Sequence, residues 1–204
     1  MKNFIVKNTL YLVTALSVIV AIYVIIRWSA MPVLQRMVCI FFIGLVLHLW
    51  EESKFPGGFT DMITKSLNFT QSNPHFGENI TVIYVLIITF IPLFFPMVVF
   101  LAVAPMMLGI LELVAHLIAI KMNVSKRFYS PGLITAALVL VPISVYSIVY
   151  VIQNNLMEPL WWLYSFLYML FGLLMAQQIV VRTSGMKYAD FLKNVRFALF
   201  EKKQ

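Results

Sequence analysis

Between Ile80 and Ile120 the chain carries a single charged residue, Glu112. That stretch is 41 residues long, about twice the 20 or so that cross a 30 Å hydrocarbon layer as a helix. It therefore reads as two membrane spans with a turn between them. Pro92, Pro96 and Pro105 break or kink helices, which puts the turn near Phe94 to Pro105. The spans on either side run from about Ile80 to Phe95 and from about Pro105 to Ile120. Four more apolar blocks have similar length: Thr9 to Ile26, Val33 to Trp50, Pro131 to Ile152 and Pro159 to Val181. Pro131 and Pro159 suit the first turn of a helix, where a missing N–H is not needed. The chain is 62% hydrophobic and 11% charged, against about 25% charged in soluble domains. The blocks do not alternate in runs of about ten, as a transmembrane barrel would require. The expected fold is all-α: a polytopic bundle of six spans over residues 1–184, with short interfacial helices and a basic amphipathic tail over 185–204.

Charge then sets the expected orientation. Six spans leave both termini on one side. That side collects 13 of the 15 Lys and Arg residues, and Arg27 and Arg36 lie on the other. The positive-inside bias puts both termini in the cytoplasm, in the cytoplasmic membrane if the source is bacterial. The net charge of +7 comes from residues flanking spans, so it points to membrane lipids and not to nucleic acid. Lys2 and Lys7 precede an apolar run that ends at Arg27-Trp28 without a small-residue cleavage site, so a retained first span is expected. Asn68-Phe69-Thr70, Asn79-Ile80-Thr81 and Asn123-Val124-Ser125 fit the glycosylation pattern but fall on the cytoplasmic side. Cys39 lies mid-span as a small packing residue. Phe59, Met62, Ile63 and Leu67 fall at helical spacing, as do Tyr188, Phe191, Leu192, Val195 and Leu199 in the tail. Both segments suit a membrane surface.

The polar residues inside the spans carry the functional signal. His48-Leu49-Trp50-Glu51-Glu52 closes the second span, and Glu112 with His116 lies in the fourth. Topology places both groups in one leaflet, with Glu78 at the start of the third span and Gln177, Gln178 and Arg182 at the end of the sixth. His48 can share a helix face with Glu51 (i, i+3) or Glu52 (i, i+4), and Glu112 shares one with His116. Glu51 and Glu52 point about 100° apart, so one can face the bundle while the other bonds a neighbour. Ionisable groups at such depth are expensive and are functional by default. Two imidazoles and several carboxylates from facing helices are ingredients of bundle metal sites. Zinc or another divalent metal suits them, with an open position for water. Plainer readings stand beside this one. Glu51 and Glu52 at headgroup level can pair with Lys54, and Glu112 can pair with Arg182 or His116. His75, in the Ser72-Asn73-Pro74-His75 turn, reads as a solvated loop residue. Nucleotide-binding, H-E-x-x-H and G-x-S-x-G motifs are absent from the sequence.

His48-Leu49-Trp50-Glu51-Glu52 followed by Phe55-Pro56-Gly57-Gly58-Phe59 resembles the signature of the HXXEE-domain membrane proteins. Tyr129-Ser130-Pro131-Gly132, then Thr135 and Pro142, resembles a later block of that family. The likeness covers the chain from about Val33 to the sixth span. The family is largely uncharacterised and suspected of enzymatic activity. The resemblance implies functional roles for His48, Glu51, Glu52 and His116; the family often has asparagine where Glu112 stands. Paired glutamates and a distant histidine are also similar to CAAX-type intramembrane proteases, but Pro56 stands where those enzymes carry arginine.

Together these readings lead to an expected metal-dependent membrane hydrolase acting on a lipid or lipid-linked substrate. His48, Glu52 and His116 would bind the metal, Glu112 would be a ligand or a partner of the ligands, and Glu51 would be the general base. A proton- or cation-coupled transporter or lipid-binding protein would use the same groups without forming product. A structural membrane partner would use them only to fix helix register. Substrate, reaction and oligomeric state are not specified by the sequence.

Overall fold

A computed structural model describes residues 7–69, 74–122 and 128–200. Lys2, Lys126, Arg127, Lys202, Lys203, Thr70, Ser72, Asn73 and the Asn123-Val124-Ser125 pattern lie outside the described residues. Among those described there is no strand. We label the helices α1 (Thr9–Arg27), α2 (Val33–Ser53), α3 (Phe59–Ser66), α4 (Pro74–Phe94), α5 (Val99–Met122), α6 (Leu133–Gln153), α7 (Pro159–Thr183) and α8 (Tyr188–Phe200). All but α3 and α8 are long and apolar enough to cross a membrane. The chain is an all-α polytopic bundle of six spans, as its apolar blocks require.

Element limits differ from the apolar limits in instructive ways. The third span starts at Pro74 and not at Ile80, because proline tolerates a first helical position and a polar first turn can be helical without being apolar. His75 is accordingly an exposed residue of that first turn, not of a loop. The fourth span begins at Val99, so Pro105 lies inside it and is buried. The chain turns at residues 95–98, around Pro96. Pro105 removes one rung of the helical ladder, and Ser165 of α7 donates to the nearby Phe100 carbonyl at 2.9 Å. Pro159 is the first residue of α7, as expected. Pro131 instead precedes α6 in a turn. Gly132, at φ 101°, occupies the left-handed region that suits glycine, and the helix starts just after it. α6 widens into a π turn over Ala136–Leu140 immediately before Pro142, which cannot donate to the ladder.

α2 and α5 are the spans most enclosed by the others. Phe41, Phe42 and Leu45 of α2 meet Ile88 of α4, Met106 and Leu108 of α5, and Met169 of α7 in one core, with Cys39 buried among them. Gly109 lets α2 and α6 come close: a Cβ there would collide with Phe41 and Ser144. α1 and α7 turn Ile19, Ile25, Ile26 and Phe171 outward, the all-round apolarity of helices whose solvent is hydrocarbon. A second cluster forms at the end of the bundle that carries His48 and His116. There Leu67, Phe69, Met122 and Val181 pack with Phe191 and Ala198 of α8. The tail's apolar stripe is thus partly spent on the bundle, through Phe191, Val195 and Leu199, while Leu192, Phe197 and Phe200 stay exposed.

Candidate metal centre

The last turns of α2 and the C-terminal half of α5 meet across the bundle interior. His48 and Glu52, one helical turn apart, share the face of α2 that looks toward α5. His116 comes from α5 and is fully buried; His48 is nearly so. The two Nε2 atoms are 3.3 Å apart. Glu52 Oε1 lies 3.5 Å from His116 Nε2 and 3.7 Å from His48 Nε2. A point about 2.0 Å from all three atoms of this triangle exists, which is a zinc–nitrogen or zinc–oxygen bond length. Ligand atoms about 2.05 Å from a tetrahedral zinc are about 3.35 Å apart, whereas octahedral neighbours are about 3.0 Å apart. The observed edges are longer than octahedral ones, and the shared point lies in the plane of the three atoms, so a tetrahedral ion would draw them slightly together. Among the described residues, His48, Glu52 and His116 are the group whose ligand atoms all fall within 4.8 Å of one another. Glu112 Oε2 stands 3.8 Å from His48 Nε2, beside this triangle and outside it.

Glu51 points the other way. It lies about 100° round the helix from Glu52, and its carboxyl meets the start of α6. Oε1 accepts from the Tyr129 hydroxyl at 2.6 Å and from the Ile134 N–H at 3.1 Å. Oε2 accepts from the Thr135 N–H at 2.7 Å and from its hydroxyl at 2.5 Å. Glu51 therefore caps α6 from a different helix, filling donors that a helix N-terminus leaves open. Burial first, and then the Glu51 carboxylate, push the Tyr129 phenol above the usual tyrosine range, so it remains a donor.

This cap fixes the histidines. A hydroxyl has one proton. Thr135 gives its proton to Glu51, so at its 2.9 Å contact with His48 Nδ1 it must accept. His48 then carries its proton on Nδ1 and presents an Nε2 lone pair to the triangle. His116 Nδ1 contacts Ser130 Oγ at 2.9 Å, so that ring too is held by a hydroxyl at its Nδ1. Such outer hydrogen bonds are what orient metal-ligating imidazoles. Gly132 sits against both rings. A Cβ on it would overlap His116 and come within 2.9 Å of His48 Cε1. The Phe59 ring of α3 lies 4.8 Å from the His116 ring and covers it.

A cavity of about 380 Å³ opens from the cluster, with His48, Glu52 and Glu112 on its wall. The remainder of the wall is largely apolar and comes from α1 to α5, α7 and α8. No lysine or arginine is among the described residues that line it.

Of the residues singled out in the sequence, His48, Glu52, His116 and Glu112 converge. Glu51 is adjacent but directed at α6 and not at Lys54, which is exposed. The partner of Glu112 is His48; among the described residues no ion pair joins it to Arg182 or His116. Glu78 lines the cavity and pairs with His75 at 3.7 Å, and Gln177 lines it and accepts from Tyr188 at 2.7 Å. Tyr129, Ser130, Gly132, Thr135 and Phe59 carried the family resemblance in the sequence, but none of them was given a role in the polar site. A usable signal existed: three hydroxyls within seven residues, at the head of a span in the leaflet that holds the histidines.

Fold and cluster together define a helical multi-span membrane protein with a histidine–glutamate centre inside the bundle. The chain belongs to the family described as "Protein of unknown function with HXXEE motif", whose model matches residues 39–147, more than half of its length. The matched region contains both histidines, all three glutamates of the site and the Tyr129–Thr135 cap. No curated protein and no solved structure matches the chain.

Proposed function

We propose that this protein is a metal-dependent membrane hydrolase whose centre lies in the cytoplasmic leaflet and whose substrate is a lipid or lipid-linked molecule. The observation that carries the reading is the triangle of His48, His116 and Glu52, whose three atoms share one point at zinc-bond distance. Two histidines and a carboxylate would hold a zinc ion and leave it room for a water. A zinc or similar divalent ion there would lower the pKa of a water and polarise a carbonyl or phosphoryl oxygen.

Around the ion, the chain's own residues have distinct tasks. Glu112, 3.8 Å from His48 Nε2 and on the cavity wall, is the carboxylate placed to take a proton from water. Glu51, expected from the sequence to be the base, is reassigned: both of its oxygens are occupied by α6. It positions His48 through Thr135. The apolar cavity supports a substrate with hydrocarbon character, and the 13-to-2 distribution of Lys and Arg supports a cytoplasmic position.

Metal analysis of protein purified in detergent tests this. We expect about one divalent ion per chain, zinc by the two-histidine and carboxylate donor set, and loss of it in His48→Ala and His116→Ala. Metal-free wild type, or equal metal in those variants, sinks the reading. Bound iron would overturn the hydrolase part, since this ligand set with iron supports oxygen chemistry.

A further inference from the structure

Resting on that reading, we infer that the bond cleaved is a carbonyl one: a neutral ester or amide of a long acyl chain, and not a phosphate ester. Two features of the cavity carry this. The first is its charge. Glu52, Glu112 and Glu78 line it, and no lysine or arginine is among its described lining residues. Sites that transfer or hold phosphoryl groups aim arginine, lysine or several metal ions at the charged oxygens. Here a single divalent ion would already be neutralised by Glu52 and Glu112. A phosphate would add negative charge to an acidic wall whose described residues offer no lysine or arginine to offset it. A neutral carbonyl meets no such penalty.

The second feature is the apolar lining. Leu45, Val85, Leu108, Leu111 and Leu173 extend the cavity from the His–Glu cluster into the bundle. At about 380 Å³ the space is in the range of ligand pockets. Such a lining takes a hydrocarbon chain without the desolvation cost that a polar group would meet. Thr60, Thr64, Glu78 and Gln177 form a polar part of the wall without a cation, suited to the alcohol or amine portion of the substrate. The step balances with water alone. The water oxygen adds to the carbonyl carbon, the C–O or C–N bond breaks, and Glu112 passes the water's proton to the departing oxygen or nitrogen. The products are a fatty acid and an alcohol or amine.

The test uses full-length, metal-loaded protein in nanodiscs with three probes: p-nitrophenyl dodecanoate, p-nitrophenyl acetate and bis(p-nitrophenyl) phosphate. Dodecanoate is expected to exceed acetate in kcat/KM by at least about tenfold, with no measurable cleavage of the phosphodiester. Ala176→Trp, which fills part of the cavity wall, should collapse the dodecanoate-to-acetate ratio. Cleavage of the phosphodiester above the dodecanoate overturns this inference and leaves the hydrolase reading standing. So does an acetate rate equal to the dodecanoate rate. Metal-loaded protein that cleaves none of the probes, nor a long-chain monoacylglycerol or N-acyl amine, overturns both.

Discussion

At the scale of single residues, the site turns on which lone pairs are free. His48 Nε2, His116 Nε2 and Glu52 Oε1 converge, while the other nitrogen of each ring contacts a hydroxyl. Glu112 stands beside them without completing the triangle. Its removal should therefore separate binding from chemistry. Glu112→Gln is expected to keep its metal, by elemental analysis, yet to lose about 10²–10⁴-fold in turnover of the dodecanoate ester. Metal loss in that variant would make Glu112 a ligand and not the base. Gly132 gives a second residue-level expectation. At φ 101° an alanine is strained, and its methyl would press on both imidazoles. Gly132→Ala should release the metal, whereas Gly58→Ala should not. Gly58 also has positive φ, but no atom would lie within 4 Å of a methyl there. Equal metal in the two variants would remove Gly132 from the site.

At the scale of elements, the head of α6 is held by a side chain from α2. Two N–H groups and two hydroxyls converge on the Glu51 carboxyl. Glutamine in its place turns one acceptor into an NH₂ group that faces donors. Leaving buried donors unmatched costs about 2–3 kcal/mol, which lowers the Tm of a chain this size by about 5–10 °C. Thr135→Val acts differently. It keeps the N–H of residue 135 on Glu51 but removes the hydroxyl that accepts from His48 Nδ1–H. Metal affinity should fall about 10–100-fold, as for other outer-shell partners, with a smaller change in Tm than in Glu51→Gln. Matched losses of metal and Tm in both variants would mean that the cap serves α6 alone. Little of this was legible in the sequence. Glu51 and Glu52 look alike in a string, and their 100° separation says only that they diverge. Their roles depend on which helix lies behind each, a packing fact that no local pattern encodes. The hydroxyls of Tyr129, Ser130 and Thr135 stood out as a cluster, but their partner did not, because serine and threonine at a span head also fit an ordinary helix start.

The whole molecule was far more legible, because a bilayer imposes length and polarity on every span. Six apolar blocks became six helices, and their limits slipped where a proline or a polar first turn was read as a boundary, at Pro74, Pro105 and Pro131. Convergence of His48 with His116 also followed from topology, since α2 and α5 run in the same direction and place their polar ends in one leaflet. The side on which that leaflet lies rests on charge alone. Lys54, Lys65, Lys121 and Arg182 all flank the ends of spans near the site, while Arg27 and Arg36 flank the opposite ends. Arg36 is also fixed there, with its guanidinium 4.9 Å from the Trp28 ring, in keeping with an interfacial anchor. In a Cys39→Ser background, single cysteines at Asn155 and Gly185 report the two faces. Both positions are exposed turns, between α6 and α7 and between α7 and α8. A membrane-impermeant maleimide added to intact cells should label the cysteine at 155 and should reach the one at 185 only after permeabilisation. The reverse pattern would place the His–Glu centre in the outer leaflet, and its substrate would then have to come from the external face.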